Sequence, residues 1–339
     1  MLTGDNVKES GILANLREYK NELTVAILIV LIFCISPFLT PVFLTGANLL
    51  NLLRQTSYTA IAAIGMYLVI LTGGIDLSIG AEVQIIGMVS ITMLVNGTST
   101  TTALIVSLGL GLLIGAINGA LVTFGKLQPF IVTLVTKRIM EGIVLTVTNG
   151  ASVSGDISDS FMKIGTGYIG IFPVPVIVLF VCIIVTVVLM NKMTFGRRLY
   201  LTGSNVKAAY YSGIDVKLMR MCAYILCSFF VMISGILSVA RIGAFQPTTT
   251  HGGANGMEMN AIAAVVVGGG ALSGGRGTII GTVLGALLYG SLANLFPLIG
   301  VNSYFQMLIQ GLIILVAVII SSQNGSKSKV RRVKGDSHK

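Results

Sequence analysis

Ten apolar runs, each near the length a helix needs to cross a bilayer, follow one another between residues 24 and 321. A membrane helix takes about 20 mostly apolar residues. The runs fall at 24–44, 56–72, 78–95, 101–124, 129–148, 173–190, 219–240, 257–271, 278–297 and 302–321. The eighth is the shortest; it is read as a tilted helix or one that stops inside the bilayer. Hydrophobic residues make up 54% of the chain and charged residues 10%, against about 25% charged in a soluble domain. A fold this apolar could not cover itself with polar groups, so lipid has to be its solvent. The expectation is an all-α integral membrane protein with about ten transmembrane helices.

The first run has no small-residue cleavage site behind it and reads as a first span rather than a removed signal peptide. The chain divides into an N-terminal segment 1–23, a membrane domain 24–321 and a basic tail 322–339. The 41 glycines suit helices packed closely in lipid. With no Trp in the chain, interfacial anchoring falls to Tyr, Lys and Arg.

A net charge of +10 would suggest nucleic acid in a soluble protein. Here the positive charge gathers in one loop and in the tail, without interleaved aromatics to stack bases. The loop 191–220 holds Lys192, Arg197, Arg198, Lys207, Lys217 and Arg220 against one acid, Asp215; the tail holds Lys327, Lys329, Arg331, Arg332, Lys334 and Lys339. Both belong in the cytoplasm by the positive-inside rule. Four runs separate them, so the two agree, and counting back places the N-terminus inside with Lys8, Arg17 and Lys20. The loops 149–172 and 241–256 then lie outside, with only Lys163 and Arg241 between them. Cys34, Cys182, Cys222 and Cys227 show no zinc or CxxC spacing and read as packing residues. No metal site is expected.

Segment 195–217, FGRRLYLTGSNVKAAYYSGIDVK, is too polar to span. Ala208, Ala209, Tyr210 and Tyr211 sit on a short helix, with Asn205 as its N-cap after Gly203 and Ser204. Gly213, followed by Ile214, is placed to end it in a left-handed turn. The segment is either a docking surface for another protein or a loop held to anionic lipid.

An echo links two stretches. Ile61-Ala62-Ala63 precedes Gly73-Gly74-Ile75-Asp76-Leu77-Ser78, and Ile262-Ala263-Ala264 precedes Gly268-Gly269-Gly270-Ala271-Leu272-Ser273. It is read as a trace of duplicated halves, a common device in transporters, or as chance recurrence of glycine.

Ionisable residues in apolar runs default to functional candidates. Asp76 and Glu82 flank the break between the second and third runs, and Asp76 either caps a helix or contacts cargo. Glu141 lies four residues after Lys137, which makes a local pair the leading reading. Glu258 and Asn260 open the eighth run; Glu258 lines a mouth or meets the helix dipole. Ser78, Gln84, Asn118, Asn260 and Ser273 supply neutral hydrogen-bonding groups, for a path or simply for packing between helices.

FGRRLYLTGSNVKAAYYSGIDV is similar to the cytoplasmic loop of sugar-type ABC importer permeases, the ribose, galactose and xylose permease group of the branched-chain amino acid and sugar permease superfamily. TGGIDLSIGA (Thr72 to Ala81), LQPFIVTLVT (Leu127 to Thr136) and GMEMNAIAAVVVGGGALSGGRGTIIGTVLGA (Gly256 to Ala286) resemble further segments of that family, in the right order, over about residues 45 to 321. Gly270 departs, since relatives often carry Thr there. The resemblance implies a type II ABC importer permease fold in a bacterial plasma membrane, and a pentose or hexose as cargo. It also implies three partners: a second permease subunit, cytoplasmic ATP-binding subunits and an extracytoplasmic sugar-binding protein. Gly203, Ser204, Asn205, Ala208, Ala209, Gly213 and Ile214 would form the element coupled to the ATPase. The low-charge path would comprise Asp76, Ser78, Gln84, Asn118, Glu258, Asn260 and Ser273. No GxxxxGK loop followed by Ser or Thr occurs, so ATP and Mg would be bound by the partner and no cofactor by this chain. Other cargo for the same machine, such as a branched-chain amino acid or a furanose signal, stays open. An ion-coupled secondary transporter is the alternative of another class.

Overall fold

The computed structural model describes residues 20–247, 256–316 and 318–319. Nearly all of it is helix. In chain order the helices are α1 (Lys20–Leu39), α2 (Gly46–Leu71), α3 (Ile79–Val95), α4 (Thr100–Thr123) and α5 (Pro129–Thr148). They continue with α6 (Asp159–Thr166), α7 (Val174–Asn191), α8 (Thr194–Ser204), α9 (Val206–Tyr211), α10 (Val216–Ile242), α11 (Met257–Val267) and α12 (Ile279–Leu298). A last apolar helix, α13, covers Ser303–Val316. Among the described residues, five helices (α1, α4, α7, α10 and α12) are both long and apolar enough to cross a membrane.

Several expected boundaries shift. The first run was expected to extend to residue 44, but its helix stops at Leu39, two residues after Pro37, and Thr40–Thr45 turn. The second was expected to start at 56 and begins at Gly46, where Thr45 caps the helix by accepting from the Asn48 amide. Its first ten residues are only partly covered by neighbours, with Asn48 and Asn51 bonded to Asn294 and Arg241 on other helices. The eighth run ends at Val267 rather than 271. The outer segment 149–172, read as a plain loop, holds α6 and short strands. Of these, β1 (Val153–Ser154) pairs antiparallel with β4 (Ala244–Phe245). β2 (Tyr168–Ile169) pairs with β3 (Phe172–Pro173). Segments 1–19 and 321–339, with their expected basic charges, lie outside the described residues, as does the stretch 248–255.

The core forms around α2. Every side chain from Ala60 to Leu71 is buried, because α10, α12, α11 and α7 pack around it. Helix α10 also lies along α4, where Gly111, Gly115 and Gly119 form a stripe at four-residue spacing. A Cβ at Gly115 would sit 2.8 Å from the Ile225 Cα and the Tyr224 carbonyl oxygen. Only glycine lets these two backbones meet, and in lipid such contact replaces the missing hydrophobic drive.

The connections gather at two ends. At one end Gly203 touches both Leu71 and Gly275, and Thr278 donates to Glu22 at the start of α1 (2.7 Å). This end also carries Lys126, Lys207, Lys217 and Arg220, and is called the basic end below. At the opposite end β1 meets β4, Arg241 donates to Asn51 (2.8 Å) and Asn48 pairs with Asn294. There Thr100 bonds Ser158 (2.8 Å), and Arg54 lies over the Tyr168 ring at 5.0 Å. The two echoing stretches both run toward the basic end, and their glycine breaks touch: a Cβ on Gly274 would lie 2.9 Å from the Gly73 amide.

Candidate translocation path and coupling element

Four of the seven path candidates, Asp76, Ser78, Asn118 and Glu258, fall into two groups. Asp76, Ser78 and Asn118 form one network, all fully buried. Leu71 ends α2, and the chain turns back through Gly73 and Gly74 before α3 starts at Ile79. In that turn the Asp76 carboxylate accepts from the Ser78 amide (2.9 Å) and from the Ser78 hydroxyl. Asn118 on α4 donates to the Ser78 hydroxyl (2.9 Å), and Thr136 on α5 donates to the Asn118 carbonyl (2.8 Å). Three helices are thus laced through one amide. Removing it in Asn118→Leu should cost about 1–2 kcal/mol, the scale of such bonds between membrane helices. The thermal midpoint of the purified protein would register that loss, whereas no drop would mean the network is not holding α3 to α5.

The next residue along α5 begins the second group. Lys137 pairs with Glu258 Oε1 on α11. Glu141 accepts instead from Arg138 (2.9 Å) and stands 3.9 Å from Lys137. The expected local Lys137–Glu141 pair is therefore the weaker contact, and the lysine's main partner is 121 residues away. Helix α5 starts at the basic end and Lys137 is eight residues in, about 12 Å along at 1.5 Å per residue. Glu258 sits nine residues before the basic end of α11, about 14 Å by the same rise. Both depths fall near the middle of a hydrocarbon layer about 30 Å thick. With 11 residues, α11 is a half-length helix. Its first turn delivers a carboxylate to mid-depth.

Glu82, in the first turn of α3, is fully buried and accepts from Ser228 of α10 (2.9 Å). One oxygen each of Asp76, Glu82 and Glu258 has no hydrogen-bond partner. The sequence marked Glu82 as an acid in an apolar run but gave no hint of Ser228, one serine among many. Gln84 is buried on α3 and Asn260 half-buried on α11, neither in the Asp76 network. Ser273 is exposed at the basic end beside Gly73, away from both groups. Its break bends out of the apolar layer, which the glycine pattern alone did not reveal. Among the described residues no three His, Cys, Asp or Glu side chains are placed to hold a metal.

The segment after α7 folds largely as expected. Asn205 ends α8 and caps α9, its side chain accepting from the Ala208 amide (3.1 Å). Gly213 takes φ +75°. Its amide bonds the Tyr210 carbonyl, while the Ile214 amide reaches back to Ala209 (both 3.0 Å). That is the Schellman closure, with buried Ala209 and Ile214 as its apolar contact. Asp215 then caps α10, accepting from the Leu218 amide (3.0 Å). Ser204 and Ala208 are exposed. Two hinges with satisfied caps make this a stiff step, not a slack loop.

Gly203 wedges that step into the bundle, since its backbone lies directly on the Leu71 carbonyl and the Gly275 amide. One turn earlier the Tyr200 hydroxyl bonds the Tyr67 hydroxyl (2.6 Å) and donates to the Gly277 carbonyl (2.8 Å). Burial pushes the Tyr200 phenol upward from its ordinary pKa, so it stays a donor throughout the physiological range. Helix α8 is thereby clamped to both glycine breaks.

A stiff polar step at one end, half-length and broken helices, and charged groups at mid-depth define a multi-pass, all-α membrane permease. Residues 48–318 match the family described as branched-chain amino acid transport system / permease component, and the chain belongs to it. It is similar to the ribose import permease protein RbsC of Bacillus subtilis, at 40% identity over 88% of this chain and 92% of the relative. The Escherichia coli K12 protein of the same name is 38% identical, over 91% and 94%. The D-allose transport system permease protein AlsC of that organism is 34% identical, over 89% and 91%. No solved structure matches the chain.

Proposed function

We propose that this chain is the membrane-spanning subunit of an ATP-driven importer for a monosaccharide, a pentose or hexose. The observation that carries the reading is near full-length similarity to permeases named for ribose and allose. The chain is a transport subunit, and ATP with Mg binds a separate cytoplasmic subunit. An extracytoplasmic sugar-binding protein delivers cargo to the opposite end.

On this reading α1 to α5, α7 and α10 to α13 make ten crossings, as domain 24–321, with segment 1–23 and tail 322–339 in the cytoplasm. The membrane is the bacterial inner membrane, and the basic end faces the cytoplasm. Gly203, Ser204, Asn205, Ala208, Ala209, Gly213 and Ile214 form the coupling element within 191–218. The clamp of α8 on Leu71, Gly275 and Gly277 supports this role, because a push on α9 reaches both glycine breaks without passing through a flexible joint. Such a device alternates access when driven from one side.

A second permease subunit covers the outer face of α5. Arg138 is 75% exposed there, paired to Glu141, and a guanidinium near mid-bilayer is too costly to leave in lipid. The path runs along this face with Glu258 behind it. Asp76, Ser78 and Asn118 hold the neighbouring helices in register, and Gln84, Asn260 and Ser273 are further polar contacts for cargo.

One observation favours a second reading: buried acids with open oxygens at Asp76 and Glu82 would suit an ion-coupled carrier. Uptake that persists without an ATP-binding subunit and collapses with the ion gradient would select it. Co-purification of an ATPase whose rate rises with binding protein plus ribose or allose would select the importer; a rise with branched-chain amino acids alone would replace the cargo.

The coupling assignment has its own test. Replacing Gly213 with valine forces a β-branched residue into the left-handed region, at a cost of about 1–2 kcal/mol. No atom lies within 4 Å of its Cβ position, so the protein should insert normally but couple ATP hydrolysis to uptake several-fold less well. Gly213→Asn, which tolerates that region, should stay near wild type. Unchanged coupling in the valine variant would remove the assignment.

A further inference from the structure

At the basic end lies a cavity of about 1130 Å³ that neither the path nor the helix clamp uses. Its walls are the Thr72–Gly74 turn, the α4–α5 link, α9 and the first turns of α10. Four cations line it, namely Lys126, Lys207, Lys217 and Arg220. None of them is in an ion pair among the described residues, where all three salt bridges belong to the α5 cluster. The single acid on the wall, Asp215, is occupied in capping α10.

A second feature is independent of charge. Thr123 and Tyr224 are buried, line the same cavity, and carry hydroxyl oxygens with no hydrogen-bond partner. The Tyr224 hydroxyl is close-packed against Gly74, 2.8 Å from where a Cβ would lie. Buried hydroxyls are normally satisfied, so these two await an oxygen-rich occupant. Cations at the mouth and hydroxyls at the floor call for an anion with several acceptor oxygens.

We propose that this cavity binds a phosphate ester bearing hydroxyl groups. The phosphate would be held by Lys126, Lys217 and Arg220, and the hydroxylated part would reach Thr123 and Tyr224. Two sources offer that chemistry: the headgroup of a glycerol-bearing anionic phospholipid, and a soluble sugar phosphate. Either would bridge the first turns of α10 to the α4–α5 link and so restrain the step that leads into α10. The inference does not depend on which cargo the protein carries.

The test uses the full-length chain, purified without any ATP-binding subunit. In one arm it is reconstituted in nanodiscs of phosphatidylcholine with or without phosphatidylglycerol, and retained lipid is counted by native mass spectrometry. In the other, a pentose 5-phosphate is titrated calorimetrically in phosphatidylcholine nanodiscs, with inorganic phosphate as competitor. Retained phosphatidylglycerol identifies the lipid source, and saturable binding of the sugar phosphate the soluble one. In the arm that binds, the double variant Lys126→Gln/Arg220→Gln should weaken binding at least tenfold, and Thr123→Val several-fold. Lys192→Gln, which removes a charge outside the cavity wall, should leave it unchanged. Equal loss in that control would mean diffuse surface attraction and overturn the proposal, as would absence of binding in both arms.

Discussion

Replacing Gly203 with alanine or valine should leave little folded protein and no measurable uptake. A Cβ at that position would lie 1.8 Å from the Leu71 carbonyl oxygen and 2.6 Å from the Gly275 amide. Both obstacles are backbone, so no rotamer change relieves them and α8 has to back away from α2. Overpacking usually costs about 1–3 kcal/mol and sometimes more. Here the displaced element also carries the Tyr200 bonds to Tyr67 and Gly277, so the upper end or beyond is expected. Fluorescence-detected size-exclusion would show the loss of the monodisperse peak, and a folded, transporting Gly203→Val protein would refute the wedge. The comparison with Gly213 is informative. Asparagine should be tolerated at 213, where the demand is a dihedral, and rejected at 203, where it is space.

The buried pair on α5 and α11 should give the second large effect. Lys137→Met strands the Glu258 carboxylate, which is 5% exposed, near mid-bilayer, and Glu258→Met strands the amine. Breaking a buried pair from one side typically costs about 3–5 kcal/mol, whereas replacing both partners by apolar groups is often neutral. Each single variant should therefore lose most of its thermal stability, and Lys137→Met/Glu258→Met should regain it. Uptake by the stable double variant then separates roles. Lost transport would assign the pair to cargo or gating, and normal transport would make it scaffolding. Equal stability of single and double variants would mean that the pair is not desolvated as described.

Local chemistry was legible in the sequence. The Asn205 cap, the Gly213 turn and the shortness of the eighth run follow from rules acting within a few residues, and the structure carries all three. Partners across helices were not. Spacing pointed Lys137 to Glu141, four residues away on its own helix. Nothing in one sequence shows that α11 begins at a depth where Glu258 outcompetes it. Hydropathy likewise missed the first ten residues of α2, because it measures fitness for lipid and this segment is partly covered by protein. The glycine echo located both breaks correctly, yet Ser273 and Ser78 ended in different surroundings, one exposed and one fully buried. Matching sequence did not mean matching depth.

The enclosure of α2 also bears on how the chain is made. Its amino-terminal half carries Asn48, Asn51 and Arg54, and its partners Ser234 and Arg241 are synthesised some 180 residues later. Until α10 emerges from the ribosome, Asn51 faces a membrane without its Arg241 partner, and the Asn294 partner of Asn48 comes later still. Partitioning alone into lipid is therefore unfavourable, and it has to be sheltered at the insertion machinery or beside α1. Lengthening the delay, by slowing translation between α2 and α10, should expose the nascent chain to degradation more than a pause placed after α10.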